Sequence, residues 1–375
     1  MSYRPAITGS GVFTPEHVIT NAELVQAFNA YADKFNAQNA ESIAAGEIEA
    51  KEHSSEEFIV KASGIEQRYV LDKSGVLDPD IMHPMLRQRN DEEPSVMTAM
   101  GVDAARKALA QAERMAEDVD LVICAASNME RAYPAVAIEI QKELGVKGFA
   151  FDMNVACSSA TFGIQAAADM VRSGSVRSAL VVNPEICSGH LEWRDRDCHF
   201  IFGDVATATL IERREDAKGP YFEILSTRCA TEFSNNIRNN NGFLRRSRPD
   251  GLEDRRDMQF MQNGRKVFKE VLPMVSAHIA GHMAEEGVAS TDLKRLWLHQ
   301  ANKTMNDFIG KKVLGRTPEP EEQPNILQNY ANTSSAGSII AFSQNSDDMV
   351  DGDVGLICSF GAGYSVGSVL VQRHA

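Results

Sequence analysis

The sequence lacks the features of a membrane-spanning, zinc-binding or disulfide-stapled chain. Its six cysteines are scattered over 375 residues without a Cys-x-x-Cys pair, which supports neither a zinc site nor a disulfide framework. No stretch reaches the ~20 apolar residues of a membrane span, and no basic segment precedes an apolar run at the N-terminus. A net charge of −14 disfavours nonspecific nucleic-acid binding. We therefore expect a cytoplasmic protein without nucleic-acid or membrane partners.

The hydrophobic pattern alternates between strand and helix. Residues 119–125 form a short apolar run, and residues 134–145 have a helical pattern between a proline and a glycine. Apolar residues then alternate along 149–155, as in a strand that leads into Cys157. A helical pattern rich in small residues follows from 158 to 172, and another strand pattern covers 178–182. This alternation predicts an α/β fold.

Four motifs carry the residues that could do chemistry. The chain contains, in order, Asn154-Val-Ala-Cys157-Ser-Ser, Leu298-His299-Gln-Ala-Asn302, Tyr330-Ala-Asn332-Thr-Ser-Ser and Phe360-Gly-Ala-Gly363. A thiol together with two neutral hydrogen-bond donors suits a decarboxylating site that forms carbon–carbon bonds. In such a site the thiol carries an acyl group, and the two donors hold the oxygen of a developing enolate.

Cys157 stands where a predicted strand ends and a predicted helix begins. The free N–H groups and partial positive charge of a helix N-terminus favour a thiolate over a thiol. The N–H of Cys157 and one from the Gly361–Gly363 turn would form an oxyanion hole. The competing interpretation is a buried thiol that acts as a small hydrophobic residue.

His299 and Asn332 each have a structural alternative. A histidine after an apolar strand is often only structural, and the Gln-Ala-Asn that follows distinguishes His299 from the other eight histidines. Asn332 precedes a Thr-Ser-Ser run, which is typical of a helix N-cap. Capping and catalysis are compatible at such a position, so both interpretations remain open.

The chain contains an internal repeat. The segment that starts at Phe202-Gly-Asp204 is similar to the segment that starts at Phe360-Gly-Ala-Gly363, and each follows a predicted helix and strand. We predict two copies of one unit, residues 1–215 and 216–375. Repeats of this kind would bring Cys157 and Asn332 together at a pseudo-twofold axis.

The four motifs resemble those of β-ketoacyl-ACP synthase III, a condensing enzyme of the thiolase superfamily. The resemblance extends over nearly the whole chain, through the segments 7–15, 20–24, 58–68, 202–204 and 360–368. It implies an α/β fold of the thiolase-like five-layer αβαβα type, built from two duplicated halves.

The resemblance also implies an activity, an acyl transfer from acyl-CoA to Cys157 followed by decarboxylative Claisen condensation with malonyl-ACP, giving 3-oxoacyl-ACP for fatty-acid synthesis. His299 and Asn332 would hold the malonyl thioester carbonyl, and the backbone of Ala362 would be the second oxyanion donor. No metal or redox cofactor is required. A homodimer is expected.

Further site residues follow from the same resemblance. Asn302 would brace the site or contact the pantetheine arm, Arg196 would approach the nucleotide of coenzyme A, and Phe202 would line the acyl channel. Tyr133 would cross the dimer interface and close the acyl pocket of the partner. Simple packing is the alternative for each of these residues.

The chain departs from the family pattern in its coenzyme A grip. Phe58 replaces a tryptophan, and Ala62 replaces an arginine four residues later. An aromatic face therefore survives while a cation is lost, which suggests a rearranged substrate entrance and selectivity beyond acetyl groups.

The carrier-docking positions are partly kept. Thr304 replaces an arginine implicated in docking acyl carrier protein. Lysines match the other basic docking positions and suit an acidic carrier, although a solvated helix face would look similar. These lysines are Lys269, Lys311 and Lys312.

Three segments are unusual. Residues 27–53 and 78–95 are insertions relative to the family, and we interpret the first as a surface helical excursion. Residues 229–257 are rich in arginine and asparagine and predict a loop, either a solvated one or one that holds an acidic ligand.

Other functions remain open. The altered entrance also fits a secondary-metabolite condensing enzyme of the polyketide or quinolone type, or a nondecarboxylating acyltransferase. Thiolase itself is disfavoured because Cys358 is one residue out of register for a second reactive thiol. A noncatalytic acyl-binding partner is disfavoured because the thiol and both donors are present.

Overall fold

Strands and helices alternate as the sequence predicts, in a computed structural model that describes residues 2–247 and 256–375. The described strands are β1 (Pro5–Phe13), β2 (His17–Thr20), β3 (Gln67–Val70), β4 (Leu121–Ala125), β5 (Phe149–Met153), β6 (Ser178–Ile186), β7 (Asp204–Arg213), β8 (Tyr221–Ser234), β9 (Ile237–Arg238), β10 (Met261–Gln262), β11 (Leu293–Leu298), β12 (Val354–Gly361) and β13 (Gly363–His374). The described α-helices are α1 (Asn21–Gln38), α2 (Ala40–Ala44), α3 (Glu56–Ser63), α4 (Ser74–Leu77), α5 (Val96–Gln111), α6 (Val136–Leu144), α7 (Ser159–Ser173), α8 (Gly264–Glu285), α9 (Lys303–Leu314), α10 (Leu327–Tyr330) and α11 (Gly337–Gln344).

The large mixed sheet has the strand order β11-β12-β13-β8-β1-β7-β6-β4-β5. On one side of its middle the order β1-β7-β6-β4 has two antiparallel pairings and then a parallel one. On the other side the order β8-β13-β12-β11 has the same sequence of pairings. The two sides therefore share one topology, and a short antiparallel contact between β1 and β8 joins them.

The layers follow from three clusters of buried residues. Helices α7 and α11 lie between the two sides of the sheet and bury apolar residues against both. Helices α5 and α6 cover the outer face of the first side, and α8 and α9 cover the outer face of the second. Helices and sheet sides therefore alternate as αβαβα, the five-layer thiolase-like arrangement that the resemblance implies.

The sequence locates the central helix well. Helix α7 begins at Ser159 and ends at Gly174, whose φ of +78° suits a glycine. Its small residues allow close approach, because a Cβ on Gly163 would lie 2.8 Å from Val181. Two other bounds differ from the prediction. Helix α6 begins at Val136 rather than at Pro134, and β6 continues beyond 182 to Ile186.

The prediction of a surface excursion at 27–53 is wrong for its first part. Residues Ala27, Phe28 and Ala32 of α1 are buried. Phe28 and Ala32 join Leu24 in an apolar cluster that also contains Trp193. The rest of the segment, after residue 32, is mostly exposed.

The predicted loop at 229–257 is also corrected in part. Strand β8 continues to Ser234, and β9 pairs with β10 in a small antiparallel sheet. Residues 248–255, which include two of the arginines in this prediction, lie outside the described residues. In the described part of the chain, the helices are too short or too polar to cross a bilayer.

Candidate active site

The predicted site residues gather at the carboxyl ends of strands. Cys157 lies in a turn beyond β5, His299 directly follows β11, and Gly361 is the last residue of β12. In α/β sheets this edge is the usual position of a ligand crevice, because loops there leave the sheet and expose their polar groups. Cys157, His299 and Asn332 line one cavity of about 270 Å³.

The cavity wall is mainly apolar, with a few polar groups at its inner end. Phe202 and Asn302, both predicted site residues, also line it. Four further wall residues stand at positions already named from the sequence, namely Ala62, Ala301, Phe360 and Gly361. Sequence reasoning missed the rest of the wall, since its residues come from distant elements. These are Ser63, Asp197, Phe200, Ile201, Ile237, Phe260, Gln262, Gly264, Val267, Phe268, Val271 and Met305.

Cys157 lies in a single 3-10 turn, Ala156–Ser158, rather than in the first turn of α7. The side-chain oxygen of Asn154 accepts a hydrogen bond from the N–H of Ala156 at 2.9 Å, and Ala156 has a φ of +47°. This Asx turn reverses the chain between strand and helix. It places the half-buried thiol at the end of the cavity.

The β12–β13 hairpin closes against the thiol. A Cβ on Gly361 would lie 2.6 Å from the Cβ and 2.9 Å from the Sγ of Cys157, so only glycine fits there. The backbone N–H groups of Ala362 and of Cys157 itself both interact with the thiol. The structure thus brings together the two groups that the sequence predicts for an oxyanion hole.

The electrostatic prediction for Cys157 is wrong. Burial raises the pKa of the thiol to about 11, and the carboxylate of Glu185 acts in the same direction. The hydroxyl of Ser334, whose Oγ donates to Sγ at 3.5 Å, and the N–H groups act in the opposite direction. Loss of solvent outweighs the helix N-terminus, so the site holds a neutral thiol at pH 7.

His299 is held by its backbone and by packing. Its N–H donates to the carbonyl of Cys358 at 2.7 Å, and its carbonyl accepts from the side chain of Asn306 at 3.0 Å. The imidazole packs edge-on against Phe360, with ring centroids 5.2 Å apart. Burial lowers the pKa of His299 to about 4, which a backbone contact with Ser334 opposes, so the ring is neutral at pH 7.

Asn332 begins a turn before α11 and also lines the cavity, so its position is compatible with both of the roles that the sequence left open. Its side-chain oxygen accepts from the N–H of Ser334 at 2.9 Å, which forms an Asx turn before α11. Its backbone is fixed from both sides, since its N–H donates to Ile201 and its carbonyl accepts from Gly203. With the oxygen engaged, the side-chain nitrogen is the group that remains for the cavity that Asn332 lines.

Gln300 and Asn302 support the histidine loop. The side chain of Gln300 donates to Leu298 and accepts from the N–H of Ile326, which links β11 to the segment before α10. Asn302 caps α9, and its amide nitrogen donates to the carbonyl of Ala62 at 2.6 Å. Asn302 therefore braces the cavity wall, as one of the two predicted alternatives states.

Phe58 and Arg196 meet outside the cavity. The Arg196 guanidinium lies 4.2 Å from the Phe58 ring centroid, within cation–π range, and Phe58 packs edge-on against Phe200 of the cavity wall. The Nε of Arg196 donates to the carbonyl of His53 at 2.8 Å. The two predicted nucleotide-gripping groups thus stack on each other, and the insertion holds the arginine in place.

The remaining predicted residues are on the surface. Tyr133 is 85% exposed. Lys269 on α8 and Lys311 and Lys312 in the last turn of α9 are exposed, on two helices that pack together. They do not line the cavity that contains Cys157.

The comparisons with known proteins agree with this geometry. Family models described as 3-oxoacyl-[acyl-carrier-protein (ACP)] synthase III and its C-terminal part match residues 151–232 and 283–373. A β-ketodecanoyl-[acyl-carrier-protein] synthase from Pseudomonas aeruginosa is 53% identical, over 93% of this chain and 100% of that protein. A β-ketoacyl-[acyl-carrier-protein] synthase III from Acidiphilium cryptum is 30% identical, over 98% of this chain and 99% of that protein.

A solved structure shows the same arrangement. The 3-oxoacyl-[acyl-carrier-protein] synthase III from Aquifex aeolicus superposes with a TM-score of 0.77 at 25% identity, over 98% of this chain and 99% of that one. Sequence identity and fold therefore agree along nearly the full length. The chain belongs to the β-ketoacyl-[acyl-carrier-protein] synthase III family of thiolase-like condensing enzymes, and it is an acyltransferase of fatty-acid synthesis.

Proposed function

We propose that the enzyme takes a medium-length acyl group from acyl-CoA onto Cys157 and condenses it with malonyl-ACP. The observation that carries this proposal is the convergence of the Cys157 thiol, the neutral His299 ring and the Asn332 amide in one apolar cavity. These groups match the two half-reactions, acyl transfer to sulfur and stabilisation of an enolate.

In the first half-reaction the sulfur of Cys157 attacks the thioester carbonyl, and the bond to the sulfur of coenzyme A breaks. The N–H groups of Cys157 and Ala362 are positioned to hold the oxyanion, because both already interact with the thiol. The thiol is neutral, so its proton must leave during the attack. This proton ends on the sulfur of coenzyme A, so free coenzyme A thiol is the leaving group and the acyl exchange is balanced.

In the second half-reaction the malonyl thioester loses carbon dioxide and becomes an enolate. His299 and Asn332 present neutral donors, which stabilise the enolate oxygen. The enolate carbon then attacks the acyl carbonyl on Cys157, the carbon–sulfur bond breaks, and the released thiolate takes a proton from solvent. No electrons are gained or lost by the enzyme, and the two donors supply the charge stabilisation without a metal or redox cofactor.

The expected acyl length is eight carbons. The P. aeruginosa relative is named for a β-ketodecanoyl product. An enzyme that makes a ten-carbon 3-oxoacyl chain by adding two carbons from malonyl needs an eight-carbon primer. The cavity suits an alkyl chain, because Phe202, Phe260 and Ile237 are apolar residues of its wall.

The exposed basic residues suit an acidic carrier protein. Lys269, Lys311 and Lys312 stand on α8 and α9, and Phe268 of α8 both lines the cavity and packs against Phe308 of α9. Docking on these two helices would bring the malonyl arm to the cavity mouth.

A homodimer is also proposed. Strand β5 is paired on one side only, and its Phe149 is 48% exposed. An unprotected sheet edge of this kind is commonly buried in a twofold interface. Tyr133 would then reach the partner's acyl pocket. Within each subunit, residues 1–215 and 216–375 are the two proposed halves, and the cytoplasm remains the proposed location.

Intact-mass spectrometry with a series of acyl-CoA esters tests the proposal. The expected result is a single adduct, largest with octanoyl-CoA, that maps to the Cys157 peptide and is absent in Cys157→Ala. An adduct on Cys157→Ala, or none on the native enzyme with any ester, would overturn it. Light scattering tests the interface, and we expect a dimer. The acyl-CoA series with Tyr133→Ala tests the role of this residue, because we expect its ester preference to shift towards longer chains. A fully active monomer would contradict the interface.

A further inference from the structure

A buried carboxylate lies behind the active site. Glu185 is the second-last residue of β6, two positions before Cys187, and is 1% exposed. Its recorded hydrogen bonds come from uncharged groups, namely the N–H and hydroxyl of Ser127, the N–H and hydroxyl of Ser335, and the Cys187 thiol at 3.9 Å. A carboxylate in such a place loses its hydration, so its retention needs a reason.

The contacts of Glu185 connect the two sides of the molecule. Ser127 follows β4 on the first side, whereas Ser335 belongs to the 3-10 turn Ser334–Ala336 on the second. The same turn carries Ser334, whose hydroxyl contacts the Cys157 thiol and whose N–H donates to the amide oxygen of Asn332, two residues earlier. Glu185 thus holds the turn on which the polar groups opposite Cys157 depend.

We propose that Glu185 is a positioning residue of the condensing site. Its side chain fixes the 332–337 turn against Cys157, and its negative charge disfavours the thiolate form of Cys157. This inference rests on the proposed function. Two separable effects follow from it, one of contact through Ser335 and one of charge at the thiol.

The charge effect has a physical basis. A negative charge close to a thiol disfavours the thiolate, and Glu185 acts in this direction on Cys157 and on Cys187. The other titratable groups near the thiol are Cys187, which follows β6, and His299 and Asp197, which line the cavity. Burial raises the pKa of Glu185 to about 7, so its charge changes in the working pH range. Burial raises the pKa of the Cys124 thiol of β4, and the negative charges of Asp152 and Glu185 act in the same direction.

Two variants separate the effects. Glu185→Gln removes the charge and keeps a side chain that can hydrogen-bond both serines. Ser335→Ala keeps the carboxyl group and removes its hydroxyl contact to the turn. For charge, the matched control is Asp204→Asn, since Asp204 is also buried and bonded to the N–H and hydroxyl of a serine, Ser188. For contact, the matched control is Ser127→Ala, which loses the equivalent hydroxyl on the other side of Glu185.

The first measurement is the pH profile of Cys157 alkylation by iodoacetamide, followed by peptide mass spectrometry. We expect Glu185→Gln to shift the profile towards lower pH and to alkylate roughly three- to tenfold faster at pH 8, because a neighbouring negative charge is gone. Asp204→Asn should keep the native profile. A native profile in Glu185→Gln would overturn the charge effect.

The second measurement is carbon dioxide release from malonyl-ACP. We expect Ser335→Ala to lower it by roughly tenfold, and Ser127→Ala to lower it much less, while both still accept octanoyl at Cys157. Equal rates in the two serine variants would overturn the positioning effect. Failure of the proposed function would appear as a native enzyme that accepts no acyl group or releases no carbon dioxide. Failure of the inference would appear only in the variants, and alkylation can be measured without turnover.

Discussion

The two sides of the molecule use one turn for different purposes. Asn154 begins a turn before α7, and Asn332 begins a turn before α11. In each, the asparagine oxygen accepts an N–H two residues later at 2.9 Å, and that residue has a positive φ, 47° at Ala156 and 51° at Ser334. Each turn then continues as a 3-10 turn into a central helix.

Matching the two turns residue by residue shows which positions correspond. The counterpart of Cys157 is Ser335, and the counterpart of Asn332 is Asn154, so Cys157 and Asn332 are not equivalent positions. Cys157 lines the cavity, whereas Ser335 is fully buried and bonds Glu185. The same backbone thus presents a nucleophile on one side and a structural hydroxyl on the other, and the difference lies in what each side chain meets.

The largest expected effect comes from moving the thiol between the two turns. Cys157→Ala should lose all acyl transfer. Adding Ser335→Cys to it should restore none, because a thiol at 335 is buried against Glu185 away from the cavity. Intact-mass spectrometry with octanoyl-CoA measures this. Acylation of the double variant would show that the two turns are interchangeable and would contradict the comparison.

The next effect separates the two asparagines. Asn154→Ala should slow acylation of Cys157 by roughly tenfold, because it removes both the Asx turn and a bond to the carbonyl of Ser127. Asn332→Ala, the matched variant on the other side, should leave acylation nearly native. Stopped-flow release of coenzyme A gives both rates. Equal acylation rates in the two variants would mean that the first turn does not position the thiol.

A smaller effect is expected at Ser334, which takes the place of Ala156 in the repeat. Its hydroxyl lowers the pKa of the Cys157 thiol by hydrogen bonding. Ser334→Ala should therefore raise that pKa and slow alkylation a few-fold at pH 8. Ser338→Ala is the control, since it removes a buried hydroxyl of α11 that bonds the hydroxyl of Ser359 instead. Unchanged alkylation in Ser334→Ala would exclude this contact as a contributor.

We expect the two outer layers to contribute differently to the loss of stability in acid. Helix α5 packs closely on glycines of β1, whereas α8 packs on β13 through two buried histidines that share the hydroxyl of Ser368. Burial lowers the pKa of both His278 and His282 to about 4, and Arg228 and Glu285 lie close to the pair. Both histidines are neutral in the folded state. The unfolded chain binds protons as pH falls below about 6.5, so the stability they provide above that pH is lost towards pH 4.

The corresponding variant is the double change His278→Gln and His282→Gln. Its unfolding temperature should fall less between pH 7.5 and pH 5 than that of the native enzyme, by a few degrees. Differential scanning calorimetry at the two pH values measures this. Glu185 and Asp204 act in the opposite direction, because their raised pKa values weaken stability as pH rises, and both are unchanged in the variant. An identical fall in both proteins would assign the acid sensitivity elsewhere.

What the sequence predicts well is carried by local motifs. The alternation of strands and helices, the end of α7 at Gly174 and the meeting of Cys157 with the Gly361–Gly363 turn follow from adjacent residues or from the resemblance. His299, Asn302 and Asn332 also line the predicted site; His299 directly follows β11, Asn302 caps α9 and Asn332 begins a turn.

What the sequence misses depends on distant contacts. Glu185 accepts a hydrogen bond from Ser335, which is 150 positions away, and no local sequence pattern predicts that pair. The rise in the pKa of Cys157 results from burial by several elements, so the argument from a helix N-terminus alone predicts a pKa shift in the wrong direction. Phe58 and Arg196 stack on each other although they are far apart in the sequence, and the carbonyl of His53 in the 27–53 segment accepts a hydrogen bond from the arginine.

In the proposed mechanism, one side of the molecule supplies the nucleophile and the other side supplies the decarboxylation donors. The most direct test measures octanoylation of Cys157 and carbon dioxide release from malonyl-ACP in the same samples of His299→Ala and Asn332→Ala. We expect octanoylation near the native level and carbon dioxide release lowered on the order of a hundredfold or more in each variant. Native carbon dioxide release in either variant, or an equal loss of both activities, would contradict this division.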